Sequence, residues 1–130
     1  MTTPATQPHA TDLRPFIPAK DYALSRRFYA ALGWTEGYAD DNLTLLERGD
    51  MRFYLQAYYQ KEWAENTMLH LSVDDAAAWH TLATQVIASG DFPGARVNPP
   101  AEQPYGALVT HLIDPSGVLL HLAQWHDTRA

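Results

Sequence analysis

The side chains of this sequence that could do chemistry are imidazoles, carboxylates and aromatic rings, because its 130 residues include six histidines and no cysteine. Without thiols there is no thiolate nucleophile, no thiolate metal site and no disulfide framework. His111 and His121 flank Asp114-Pro115-Ser116-Gly117, a turn in which proline presets φ and glycine accepts positive φ. A symmetric four-residue turn places His111 near Leu120 rather than opposite His121, which argues against a two-histidine metal site there. His70 and His80 fall on a strand-like and a helix-like stretch, with no spacing that suggests a shared ligand. Among carboxylates, Glu47 alone falls on a strand interior or end and adjoins a turn, so a general acid–base pair is missing. Asp40-Asp41 reads as a solvated turn and Asp74-Asp75 as a helix N-terminus, where carboxylates favour the dipole and free N–H groups. Rings are the richer resource, with four Trp and seven Tyr. Trp34, Tyr38, Tyr54, Tyr58, Tyr59, Trp63 and Tyr105 lie on or beside strand-like runs. Such faces stack on planar ligands and attract cations, at roughly 0.5–2 kcal/mol per contact. Trp79 has apolar neighbours at helical spacing and belongs to a core or an interface.

The elements that must hold these side chains come in a repeating order. Residues 13–19 form a proline-bearing strand suited to an edge or irregular place. Asp21 opens a helix that Gly33 stops, and residues 34–39, 43–48 and 51–57 alternate as strands. Residues 68–73 form a strand, Asp75 opens a second helix ending near Gly90, and 95–98, 105–113 and 118–125 are strands around a proline-rich loop at 98–104. The two helix-opening aspartates are 54 residues apart. The expected fold class is therefore α+β, two βαβββ modules at 13–60 and 67–126 within one domain at 13–127, after a polar, flexible lead at 1–12. With 46% apolar residues, a chain of this length buries a core unaided. A net charge of −6 lacks the electrostatic footprint of a nucleic-acid binder, and no run of about 18 apolar residues suggests a membrane span. The reading is of a cytoplasmic protein with a small-molecule partner, neither nucleic acid nor membrane.

Three phrases in order, FYAALGW (28–34), HLSVDD (70–75) and DPSGVLLHLAQ (114–124), within that repeat resemble the vicinal oxygen chelate superfamily over nearly the whole chain. The resemblance implies modules curled into a shared half-barrel around a cleft, and usually a homodimer with cavities completed across subunits. It leaves activity open, since metal-dependent lyases, isomerases and dioxygenases share the fold with metal-free drug binders. RPFIPAKD, FYAALGW, ERGD and DPSGVLLHL are most similar to the bleomycin-resistance type. Those proteins are acidic homodimers that sequester a bulky cationic aromatic antibiotic and do no chemistry. Two departures are His121, where arginine is usual, and Tyr105, where tryptophan is usual.

In the metal-dependent members, His, Glu or Gln ligands come from the first and last strands of each module. By that resemblance, the corresponding positions here are Arg14, Met68, His121 and either Tyr54 or, two residues on, Gln56. A guanidinium and a thioether do not serve the divalent cations this family uses. The resemblance therefore implies no cofactor and a ligand-binding set of Arg14, Trp34, Tyr54, Gln56, Met68, Tyr105 and His121. This describes a metal-free binder that sequesters a planar, cationic aromatic compound. The alternative is a glyoxalase-like lyase or extradiol-type dioxygenase using one divalent metal through His121, with Gln56 and a further donor.

Overall fold

The computed structural model describes residues 6–126. The first five residues of the lead at 1–12, and residue 127 at the end of the expected domain, lie outside the described residues; 6–15 carry no regular secondary structure. The first module consists of β1 (Phe16–Pro18), α1 (Tyr22–Ala31), β2 (Thr35–Ala39), β3 (Leu43–Arg48) and β4 (Met51–Gln56). A short helix α2 (Lys61–Glu65) leads to β5 (Met68–Ser72), α3 (Ala76–Ala88), β6 (Arg96–Val97), β7 (Ala101–Gln103), β8 (Ala107–Ile113) and β9 (Leu119–Trp125). Neither α2 nor β7 was expected; β7 lies inside the proline-rich loop, where residues 101–103 pair with β8. Among the described residues no helix is long and apolar enough to cross a membrane.

The two long helices, α1 and α3, each start on a side-chain cap. Asp21 accepts from the Leu24 backbone N–H at 3.1 Å and Asp75 from that of Ala78 at 2.9 Å, satisfying donors that the first helical turn leaves free. On α1 the buried residues Ser25, Phe28 and Tyr29, with Leu32 after it, form one stripe; on α3 the stripe is Ala76, Trp79 and Ala83. These stripes cover one face of each of two sheets, ordered β1-β4-β3-β2 and β5-β9-β8-β6 with β7 on β8. In both, the first strand of the module pairs in parallel with the last. Period-2 alternation sends Ile17, Leu46, Phe53 and Leu55 inward from one sheet and Leu71, Leu112, Leu120 and Leu122 from the other, into a single core. The opposite face of each sheet has no covering element among the described residues.

The modules are joined where the β8–β9 turn meets α1. Asp114 is fully buried; its Oδ1 accepts the backbone N–H groups of Ser116 and Val118 at 2.8 and 3.0 Å. Its Oδ2 accepts the Tyr29 hydroxyl at 2.7 Å. Burial pushes the Asp114 carboxyl up, against the hydrogen bonds that stabilise its ionised form, and burial likewise holds the Tyr29 phenol well above its usual value as a donor. Ser116 Oγ accepts the Lys20 N–H at 2.9 Å, and Phe28 meets Phe92 edge-on with ring centroids 5.3 Å apart.

This turn is one residue longer than a symmetric 114–117 turn. Asp114 N–H donates to the Val118 carbonyl and the first ladder pair is Ile113 with Leu119, so His111 pairs with His121 and not with Leu120. A one-residue change in register exchanges the faces of a strand. Here it brings the two imidazoles together.

The Tyr29 hydroxyl bonds a buried carboxylate, so Tyr29→Phe is expected to lower stability by about 1.5–3 kcal/mol. Equilibrium urea unfolding with an unchanged m-value checks this.

Candidate functional site

The uncovered face of the C-terminal sheet carries a continuous run of rings. The ladders pair His70 with His121 and His111 with His121, so three imidazoles stand abreast on β5, β9 and β8. The His70 and His121 rings stack with centroids 6.1 Å apart, and His111 meets His121 edge-on at 4.9 Å. From His70 the run continues to Trp125 at 5.8 Å and on to Tyr105 at 5.6 Å. The Trp125 indole N–H donates to Ser72 Oγ at 3.0 Å, which orients its ring across the strands. Met68, 63% exposed, places its sulfur 3.3 Å from His121 Nε2. The resulting wall combines flat faces, a polarizable thioether and little formal charge.

The uncovered face of the N-terminal sheet is built differently. Phe16 stacks on its ladder partner Tyr54 with centroids 4.7 Å apart. Arg14 donates to the Tyr54 hydroxyl at 2.9 Å and to Asp12 at 2.6 Å. This ion pair lowers the Asp12 carboxyl and raises the Arg14 guanidinium, so Arg14 presents no isolated cation. Arg52 is likewise paired with Glu47 at 2.8 Å. Gln56 shares this face with Tyr54, two residues along β4. On the neighbouring turn, Asp40 accepts from Tyr38 Oη at 2.6 Å and from the backbone of Asn42 and Leu43, which makes it a turn organiser and holds its carboxyl below the usual value.

The four positions aligned with family metal ligands thus form two pairs on separate sheets, Arg14 with Tyr54 and Met68 with His121. Among the described residues no group of three or more His, Asp, Glu or Cys side chains is arranged to hold a metal ion. Trp34 does not stand on either uncovered face. It is 4% exposed, packed edge-on against Phe53 and Tyr29 in the core, with its indole N–H buried and unpaired. Gly33 ends α1 immediately before it and directs the chain inward at φ +97°. One side of Trp34 borders a cavity of about 400 Å³ on the seam between modules, lined also by Leu13, Pro15, Arg52, Met68 and His70.

Trp125, His70, His111 and Phe16 belong to these faces, yet sequence reasoning left them out of the binding set. The alternation of residues 68–72 does put Met68 and His70 on one side, and that signal could have found His70. Burial, and then the neighbouring His111 and His70, hold the His121 imidazole below its usual value.

The chain is similar to a bleomycin resistance protein from Klebsiella pneumoniae, 30% identical over 115 residues, which cover 85% of this chain and 89% of that one. It is similar in structure to a bleomycin-binding protein complexed with bleomycin, with a TM-score of 0.74 and 25% identity over 88% of this chain and 98% of the other. It also resembles a bleomycin resistance determinant encoded on the transposon Tn5, with a TM-score of 0.74 and 28% identity over 90% of this chain and 100% of that one. No family model matches the chain.

The depressed His121 carries a stability signature. Below 6.5 the unfolded chain takes up this proton before the folded one does, so stability falls as the pH drops from 6.5 through the lower folded value. His121→Asn is expected to lessen that loss, measured as a smaller drop in urea midpoint between pH 7.5 and 5.0.

Proposed function

The chain belongs to the bleomycin resistance protein family of the vicinal oxygen chelate superfamily, and we propose that it is a cytoplasmic, metal-free protein that sequesters a planar, cationic aromatic antibiotic without altering it. The observation that carries this reading is the ring run Tyr105, Trp125, His70, His121 and His111, with neighbouring centroids 4.9–6.1 Å apart on one face of the C-terminal sheet. Ring faces at this spacing can stack on successive parts of a flat heterocycle, and their quadrupoles attract its cationic groups. The net charge of −6 adds a long-range attraction for a cation. The alternative reading, metal-dependent turnover as in other members of the superfamily, gains no support from a guanidinium–phenol pair and a thioether–imidazole pair at the aligned positions.

Each sheet carries a set of exposed rings and apolar groups outside the shared core, which supports a homodimer in which the N-terminal sheet of one copy faces the C-terminal sheet of the other. Phe16, Tyr38, Met68 and Tyr105, between 47% and 63% exposed, are large apolar groups that such a pairing would cover. In this arrangement Tyr54, Gln56 and Arg14 form one wall of the cleft. Met68, His121 and Tyr105 form the other. Trp34 contributes from behind, as the packed support of the seam.

Titration with metal-free bleomycin, followed by calorimetry and tryptophan fluorescence, tests the reading. Saturable binding is expected, with the drug recovered unchanged by mass spectrometry and metal content well below one ion per chain. Trp125→Ala is expected to weaken binding about two- to tenfold, the loss of one aromatic contact. Drug turnover, or stoichiometric metal that disappears in His121→Ala, would contradict it. Sedimentation equilibrium is expected to give twice the chain mass.

A further inference from the structure

We propose that the cavity on the seam between the modules holds the cationic arm of the ligand, a short alkyl chain ending in an ammonium or sulfonium group, and that Asp50 is the carboxylate facing that charge. This rests on the reading above, in which the neighbouring rings hold the flat part of the ligand, and it names the group held beside them.

The ERGD turn, residues 47–50, brings Asp50 to the cavity. Gly49 turns the chain at φ +60°. Arg48 then fastens the turn to both modules: its Nε donates to the Leu32 carbonyl at 3.4 Å, and its guanidinium lies 4.4 Å from the centre of the Trp79 ring on α3. Asp50 lines the resulting space of about 400 Å³. Trp34, Phe53 and Leu71, only 2–6% exposed, are its deep walls, whereas Met68 at 63% and the exposed Asp50 and Leu13 form its rim. Aromatic and thioether walls pack an alkyl chain and attract its cationic end. The Trp34 indole N–H, buried and unpaired, gives one wall a donor that no other described residue uses.

The charges around this space do not balance. Arg52 is paired with Glu47 at 2.8 Å. Arg14, between the lining residues Leu13 and Pro15, is paired with Asp12 at 2.6 Å, and Arg52 also helps to lower the Asp12 carboxyl. Asp12, Glu47 and Asp50 thus meet only two guanidiniums. Among the described residues the Asp50 carboxylate has no hydrogen-bond or ion-pair partner. A cation entering the cavity therefore meets an unmatched anion, and an anion entering it is repelled. Met68 and His70 line the cavity and also touch or belong to the ring run, so a flat ligand lying on those rings has the cavity within reach of a short arm.

The test uses two metal-free bleomycins that differ by one methyl group: one whose arm ends in a dimethylsulfonium cation, and its S-demethyl counterpart, whose arm ends in an uncharged thioether. Calorimetric titration at pH 8.0, above the ordinary histidine range, gives both Kd values. The wild-type protein is expected to prefer the sulfonium form about five- to tenfold, the scale of one exposed charge pair with a cation–ring contact. Asp50→Asn is expected to bring that ratio to within about twofold. Asp91→Asn removes the same charge from an exposed position after α3, away from the cavity, and is expected to keep the wild-type ratio. Circular dichroism checks that both variants fold. In the complex, nuclear Overhauser contacts are expected from the sulfonium methyls to protons of Met68 and Trp34. No preference in the wild type, a preference that Asp50→Asn retains, an equal loss in Asp91→Asn, or sulfonium methyls that contact neither Met68 nor Trp34 each overturns this inference while leaving sequestration standing. Absence of binding of both compounds overturns the sequestration reading and this inference with it.

Discussion

One buried carboxylate sets both the assembly of this chain and the shape of its candidate site. Asp114 uses one oxygen to close the β8–β9 turn and the other to receive the Tyr29 hydroxyl from α1, so a single side chain ties the second module to the first. The cost of burying it is visible in its raised proton affinity. Three directed hydrogen bonds offset that cost, two of them from backbone donors that the turn itself presents. Because the turn they close spans residues 114–118, the strands leave it with His111 opposite His121. A turn one residue shorter would send His111 toward the core.

From that register the character of the site follows. Imidazoles from β5, β8 and β9 stand side by side and Trp125 and Tyr105 extend the surface, while the Leu residues that alternate with them fill the core. The face is aromatic and nearly uncharged within a chain whose net charge is −6. The N-terminal sheet offers the contrasting wall, in which each guanidinium is already matched by a carboxylate. Arg14, whose charge would oppose a cationic ligand if it stood alone, instead orients the Tyr54 phenol. Two chemically distinct walls on one chain suit a flat ligand with cationic substituents better than they suit a metal ion needing four convergent donors.

Much of this was legible in the sequence because it depends on short-range rules. The Asp21 and Asp75 caps, the glycines that end both helices, the alternation of 43–48 and 51–57 and the 54-residue offset of the aspartates located the repeated module. What escaped depends on pairing. The histidine row requires knowing that Val118 belongs to the turn, which the Pro-Gly signal at 115–117 does not reveal; it follows from Asp114 accepting the Val118 N–H. Strand β7 was hidden by flanking prolines, since three residues with little apolar content carry no period. Trp34 borders a strand in the sequence; after the positive φ of Gly33 its ring packs in the core at 4% exposure and one side lines the cavity at the seam.

The central claim is that the ring run on the C-terminal sheet is the surface that holds the ligand. Side-chain NMR of the histidines and tryptophans during titration with metal-free bleomycin tests this most directly. The account predicts saturating shifts at His70, His121 and Trp125 with one common Kd, while Trp79 and His80 on α3 stay unmoved. Saturable binding that leaves those three rings unchanged and perturbs the α3 residues would contradict it.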